Sequence, residues 1–166
     1  DEYTNKPVLD EKGRIQEREN YLIVGVNCDV DSFGAECIEV NRLYGKNNSV
    51  KDVKAHHYII SFEPNDPITI EQALEFGKQW LSVFAPGHQA VVAVHPDGHN
   101  GSQNMHVHMV INSVRKYAGK QSRWHEKPCE WKLGCKHKST GKMMFHAKKW
   151  VMEKCIRLGL GQVDLL

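Results

Sequence analysis

The run His95-Pro96-Asp97 and, after a polar loop, His106-Val107-His108-Met109-Val110-Ile111-Asn112 place three imidazoles where two neighbouring strands can aim them at one point. On a strand, residues i and i+2 project from the same face, so His106 and His108 point together while Val107 and Met109 point the other way. His95 closes the apolar run Ala90 to Val94 and is expected to face them across a hairpin. Three neutral imidazoles leave coordination positions of a divalent cation open to water or substrate oxygens, which suits catalysis better than a closed structural site. Ten histidines in 166 residues make some clustering expected by chance, but an HxH at strand spacing preceded by an HxD is far more restrictive. The expected cofactor is a divalent ion, Mn²⁺ or Mg²⁺ first; Ni²⁺, Co²⁺ and Zn²⁺ are compatible with the same ligands, and the affinity order favours the later metals.

The elements that must position these side chains are legible in outline. Tyr21 to Cys28 is apolar and β-branched enough for a strand, Ala35 to Tyr44 reads as a helix, and His57 to Phe62 reads as a second strand ended by Pro64 and Pro67. Thr69 with Gln72 three residues on is a capping-box start. The helix it opens runs to about Val83, with Ala73, Leu74, Phe76, Trp80, Leu81 and Phe84 along one apolar face. Two strands follow, about 89–95 and 104–113, joined by the Gly-rich loop 98–103, and a last helix from Ala147 to Leu158 stops at Gly159. The order strand–helix–strand–helix–strand–strand–helix predicts an α+β fold, an antiparallel sheet with packed helices, as a single domain over residues 1–166.

Composition narrows the substrate. The net charge of +2 conceals an asymmetry: between Arg115 and Arg157 there are 13 Lys or Arg against three Glu, whereas residues 1–114 carry nine against 16 acids. In this basic C-terminal segment, 115–158, Trp124, Trp131, Phe145 and Trp150 are interleaved, a pattern that suits phosphate neutralisation and base stacking. A solvated loop and helix face is the plainer explanation of the same charges. Five cysteines without a regular framework (Cys28, Cys37, Cys129, Cys135, Cys155) point to reduced thiols, with Cys28 and Cys155 expected in the core. With no apolar span of about 20 residues and no signal-peptide pattern, the expectation is a cytoplasmic protein without membrane insertion. His125, Cys129, Cys135 and His137 have zinc-ligand types at a non-standard spacing, and either a zinc-ordered loop or a flexible Lys-rich one fits them.

The runs HHYIISF, FAPGHQAVVAVHPDGH and NMHVHMVINSV resemble the HUH-type relaxases of mobile genetic elements, closest to the VirD2-like, MobP-type branch. The resemblance covers residues 3 to 113, and the Gly-rich loop between HxD and HxH is an apparent insertion relative to the family's shorter turn. It implies an HUH-endonuclease-like fold and a metal-dependent single-strand endonuclease and strand transferase. A tyrosine hydroxyl would attack DNA at a transfer origin, give a 5′-phosphotyrosyl link and a free 3′-hydroxyl, and later rejoin the strand. The matching tyrosine is Tyr3, with Tyr21, Tyr44, Tyr58 and Tyr117 as rivals; Asp97 or His57 is the candidate helper of a phenol whose pKa lies near 10. The resemblance also implies that Ser61 helps hold DNA 3′ of the nick, and that accessory relaxosome proteins and a transfer coupling protein are partners of a longer chain.

Asn112, Arg115, Lys116, Arg123 and Trp124 are further DNA-contact candidates, although Asn112 could equally cap a strand end. Three rival readings remain: a replication-initiator nuclease of the same HUH architecture, a non-catalytic single-stranded-DNA-binding module stapled by metal, and a histidine-metal hydrolase of a small substrate. The basic aromatic segment disfavours the last.

Overall fold

A computed structural model describes residues 9, 11–14, 21–96 and 104–161. Tyr3, Asp97 and the Gly-rich loop lie outside the described residues. The element order is β1 (Leu22–Val26), α1 (Phe33–Leu43), β2 (Ala55–Ser61), α2 (Ile70–Phe84), β3 (His88–His95), β4 (His106–Arg115), a short 3₁₀ turn (Pro128–Trp131) and α3 (Gly141–Leu158). The four strands form one antiparallel sheet in the order β1-β3-β4-β2, so the strands carrying the HxD and HxH runs are its two central members.

The alternation of the strands sorts their side chains between two faces. Val92 and Val94 of β3 and Val107, Met109 and Ile111 of β4 are wholly buried, packed against Phe76, Trp80, Leu81 and Phe84 of α2 and Met143, Ala147 and Cys155 of α3. The opposite face carries His95, His106 and His108 at one end. At the other end Asn112 donates from Nδ2 to Gln89 Oε1 at 3.0 Å, and Gln89 Nε2 donates to Glu36 of α1 at 3.2 Å, so α1 covers that far end. Glu36 also accepts from Asp29 N, Ser32 Oγ and Lys116 Nζ, and its carboxyl is held down to about 2, chiefly by the Asp29 amide.

α2 begins as its sequence requires, with Thr69 and Gln72 forming a reciprocal capping box. Gly77 lets α2 lie close on the sheet: a Cβ there would stand 2.6 Å from Val107 Cγ1 and 3.0 Å from Val92 Cγ1. α3 starts at Gly141, six residues before the Ala147 expected from sequence. Thr140 caps it by accepting from Met143 N, and that side-chain bond outweighs the poor helix propensity of a leading glycine. It ends, as expected, at Gly159 in the left-handed region.

Other boundaries shift by one or two residues. β1 stops at Val26 because Asn27 adopts φ 59°, which turns the chain and leaves Cys28 half-buried rather than in the core; Cys155 is buried as expected. α1 starts two residues before the expected Ala35, β2 two before His57, and β4 runs two residues past Ser113. No helix among the described residues is long and apolar enough to cross a membrane.

Candidate metal centre and nucleic-acid face

The hairpin of β3 and β4 pairs His95 directly with His106 and Ala93 with His108. Opposite residues of an antiparallel pair share a face, so the three imidazoles gather at one end of the sheet, as the strand spacing predicts. One ring nitrogen from each lies within 4.8 Å of the others, and this is the one His/Cys/Asp/Glu grouping of metal-site geometry among the described residues. His95 and His106 are half-buried and His108 is 8% exposed, so a bound ion would be shielded on the protein side and open toward solvent.

Hydrogen bonds fix the rings. His106 Nδ1 donates to the Asn104 carbonyl at 3.0 Å, which directs its Nε2 lone pair outward. His57 Nε2 lies 2.9 Å from His108 Nδ1, and the two rings stack 5.1 Å apart. With His57 accepting, His108 presents Nε2 as a neutral ligand; such a donor set, backed by outer partners, fits a divalent cation. His57 therefore touches a member of the trio from behind. Ser61, at the end of β2, pairs with His106 across the β2–β4 ladder and is exposed on the same face.

Three of the expected DNA contacts point inward instead. Asn112 is 1% exposed; its side chain donates to Gln89 and accepts from Val114 N. Arg115 is 2% exposed and donates to the carbonyls of Pro86 and Glu130, the latter at 2.8 Å. Trp124 is buried against Phe84, ring centroids 4.8 Å apart. All three side chains are buried, so none is placed to meet a phosphate. Lys116 is half-buried and bridges Glu36 and the Asn27 carbonyl, while Arg123 is exposed. The rival Tyr58 donates to or accepts from His137 Nε2 at 2.9 Å and packs on Trp80, whereas Tyr21 is 54% exposed rather than packed.

The His125, Cys129, Cys135, His137 set does not converge into a metal-type grouping. His125 Nδ1 accepts from Ser122 N, and His137 is buried beside Tyr58. His137 belongs instead to a cluster that sequence reading missed. Its ring lies 4.8 Å from that of His56 and 5.4 Å from that of His88, whose Nδ1 donates to the Asn112 carbonyl at 2.8 Å. Burial, with Arg115 nearby, depresses His88 to about 3, and burial likewise holds His137 well below the ordinary histidine range. The adjacent pair His56-His57 is the one sequence sign of it: alternation sends its members to opposite faces, one to this cluster and one to the trio.

A family model described as the relaxase MobA/VirD2-like nuclease domain matches residues 3–139. Protein rlx of Staphylococcus aureus is 36% identical over 103 residues, 62% of this chain and 30% of that protein. The group II intron-interrupted relaxase LtrB of Lactococcus lactis subsp. cremoris is 40% identical over 99 residues, 59% of this chain and 15% of that protein. The chain thus spans less than a third of the length of these relatives. No solved structure gives a significant match. With the α+β sheet and the histidine trio at its centre, the match over most of its length shows that this chain belongs to the MobA/VirD2-like relaxase nuclease-domain family.

Proposed function

We propose that this domain nicks and rejoins one strand of DNA at the transfer origin of a mobile element, through a tyrosyl–DNA intermediate. The observation that carries the reading is the convergence of His95, His106 and His108 on an open sheet face in a chain of the relaxase nuclease family. The trio would hold the divalent ion, Mn²⁺ or Mg²⁺ in the first instance, which when bound draws charge from a non-bridging oxygen of the scissile phosphate. His57 keeps His108 in the ligating tautomer, and the Asn104 carbonyl does the same for His106. Ser61, exposed beside His106, offers a hydroxyl to the strand on the 3′ side.

Tyr3 is the nucleophile: its oxygen forms a bond to phosphorus as the bond from phosphorus to the 3′ oxygen breaks. The phenol proton passes to Asp97, and water supplies the proton with which the departing 3′ oxygen leaves as a hydroxyl. Attack by that hydroxyl on the phosphotyrosine reverses the step and reseals the strand without a nucleotide cofactor. The relaxase names of the relatives favour a transfer origin over a replication origin as target. The domain acts in the cytoplasm, with accessory relaxosome proteins and a coupling protein completing transfer.

The test incubates the protein with labelled single-stranded oligonucleotides spanning its element's transfer origin, with Mn²⁺ or EDTA, and reads denaturing gels for a protein-linked band. A metal-dependent adduct that Tyr3→Phe abolishes is the expected result. Binding without any adduct would leave only a non-catalytic DNA-binding module, and an adduct that survives Tyr3→Phe moves the attack to another tyrosine.

A further inference from the structure

We propose that the outer face of α3 is a second nucleic-acid contact, separate from the histidine face, where Phe145 stacks on a base and Lys142, Lys149 and Arg123 hold flanking phosphates of a single strand. This rests on the relaxase reading and extends it to a longer stretch of substrate.

α3 turns Met143, Ala147 and Cys155 inward and leaves Phe145 49% exposed. Lys142 lies one turn before Phe145, and Lys148 and Lys149 one turn after, so all three surround the exposed ring. His146 adjoins the exposed ring, 5.5 Å from Phe145 centroid to centroid, and is backed by the buried Trp124 at 5.8 Å. Desolvation chiefly, and then the nearby charges of Arg123, Lys142 and Lys149, hold the pKa of His146 below the ordinary value. Glu153 is the one acid of α3, 3.9 Å from Lys149, and the first turn carries none, so the positive helix end adds to the lysines. A large aromatic at the exposed surface, beside cations of which only Lys149 has an acidic partner among the described residues, is a good stacking platform for an unpaired base.

The surface cannot be part of the histidine site itself. α3 belongs to the helical layer packed on Val107 and Met109, the residues that flank His108 and point the opposite way. Sheet and helix together place its outer face roughly 15–20 Å from the trio. The path between them rounds the β2 edge, where a cleft of about 440 Å³ has Ser61 on its β2 side and Lys148 and Met152 on its α3 side. Glu63 and Asp66 occupy another part of its rim, which steers a polyanion toward the lysines. A strand seated at the trio reaches Phe145 only if it carries several further nucleotides.

The experiment measures binding by fluorescence anisotropy with two oligonucleotides: a short one limited to the nick site, and one extended by ten nucleotides on both sides. Phe145→Ala is expected to weaken the long oligonucleotide at least five-fold, as loss of one base–aromatic stack would. The double variant Lys142→Gln/Lys149→Gln should lower the steepness of log K against log salt by about 1.4, two single-strand phosphates' worth. Neither should change binding of the short oligonucleotide or adduct formation on it, and melting curves check that both variants fold. Unchanged affinity for the long oligonucleotide overturns the proposal, as does equal weakening of the short one. If annealing complements to the extensions leaves the affinity and its sensitivity to Phe145→Ala intact, the single-strand assignment is overturned. Failure of the native protein to form any adduct on either substrate would instead refute the relaxase reading, whatever α3 binds.

Discussion

His57→Ala should cost metal affinity without removing a ligand. The bond at stake is the 2.9 Å contact between His57 Nε2 and His108 Nδ1, which, with His57 accepting, holds His108 as the tautomer with its Nε2 lone pair available. Loss of such an outer partner typically costs 10–100-fold in metal affinity, about 1.4–2.7 kcal/mol. His57 is exposed, so water can take its place behind His108, which sets the expectation near the lower end, about ten-fold. His57→Gln keeps an acceptor within reach and should stay within about three-fold of the native protein. The assay is calorimetric titration of metal-free protein with Co²⁺ or Mn²⁺, with His108→Ala as the variant that lacks a ligand. Native-like affinity in His57→Ala, or His57→Gln as weak as His57→Ala, would refute the reasoning. The first outcome means His57 does not orient the ring; the second means the acceptor is not what matters.

Gly77→Ala should destabilise the fold by about 1–2 kcal/mol, because overpacking against the stiff Val107 and Val92 side chains exceeds the gain in helix propensity; chemical denaturation would show it, and a stabilised variant would contradict the packing. Arg115→Met should cost about 3 kcal/mol, since the carbonyls of Pro86 and Glu130 lose a charged donor in the interior, while DNA affinity of the folded fraction stays native. Acid should weaken the fold through His88 and His137. Their folded pKa values are depressed, so the unfolded chain binds more protons below pH 6.5, and stability present above that pH is lost as it falls toward about 3 for His88. Each contributes a slope of about 1.4 kcal/mol per pH unit in that window. His88→Gln, which retains a donor for the Asn112 carbonyl, should remove one such slope from urea melts at pH 7, 6 and 5, and an unaltered slope would show that His88 is not the titrating group.

The convergence of the histidine trio was legible because its information is local. Strand alternation alone puts His106 and His108 on one face, and the apolar run ending in His95 needs only a hairpin to oppose them. The Thr69–Gln72 box and Gly159 mark helix ends for the same reason, since caps are made within a few residues. The resemblance in the strand motifs likewise led to the family that the match over residues 3–139 shows. What each long polar or aromatic side chain faces is a different kind of fact. Arg115 and Trp124 sit in a basic stretch that reads as a DNA-binding surface, yet both turn into the interior, because carbonyls of Pro86 and Glu130 and the ring of Phe84 come to them from elsewhere in the chain. Phe145, in the same stretch, remains outside. His57 meets His108, 51 residues away, only because β2 pairs with β4. Periodicity and capping act over one or two turns and so are written in the sequence, whereas burial and partnership depend on which distant groups the packed sheet and helices bring together, and only the tertiary structure decides that.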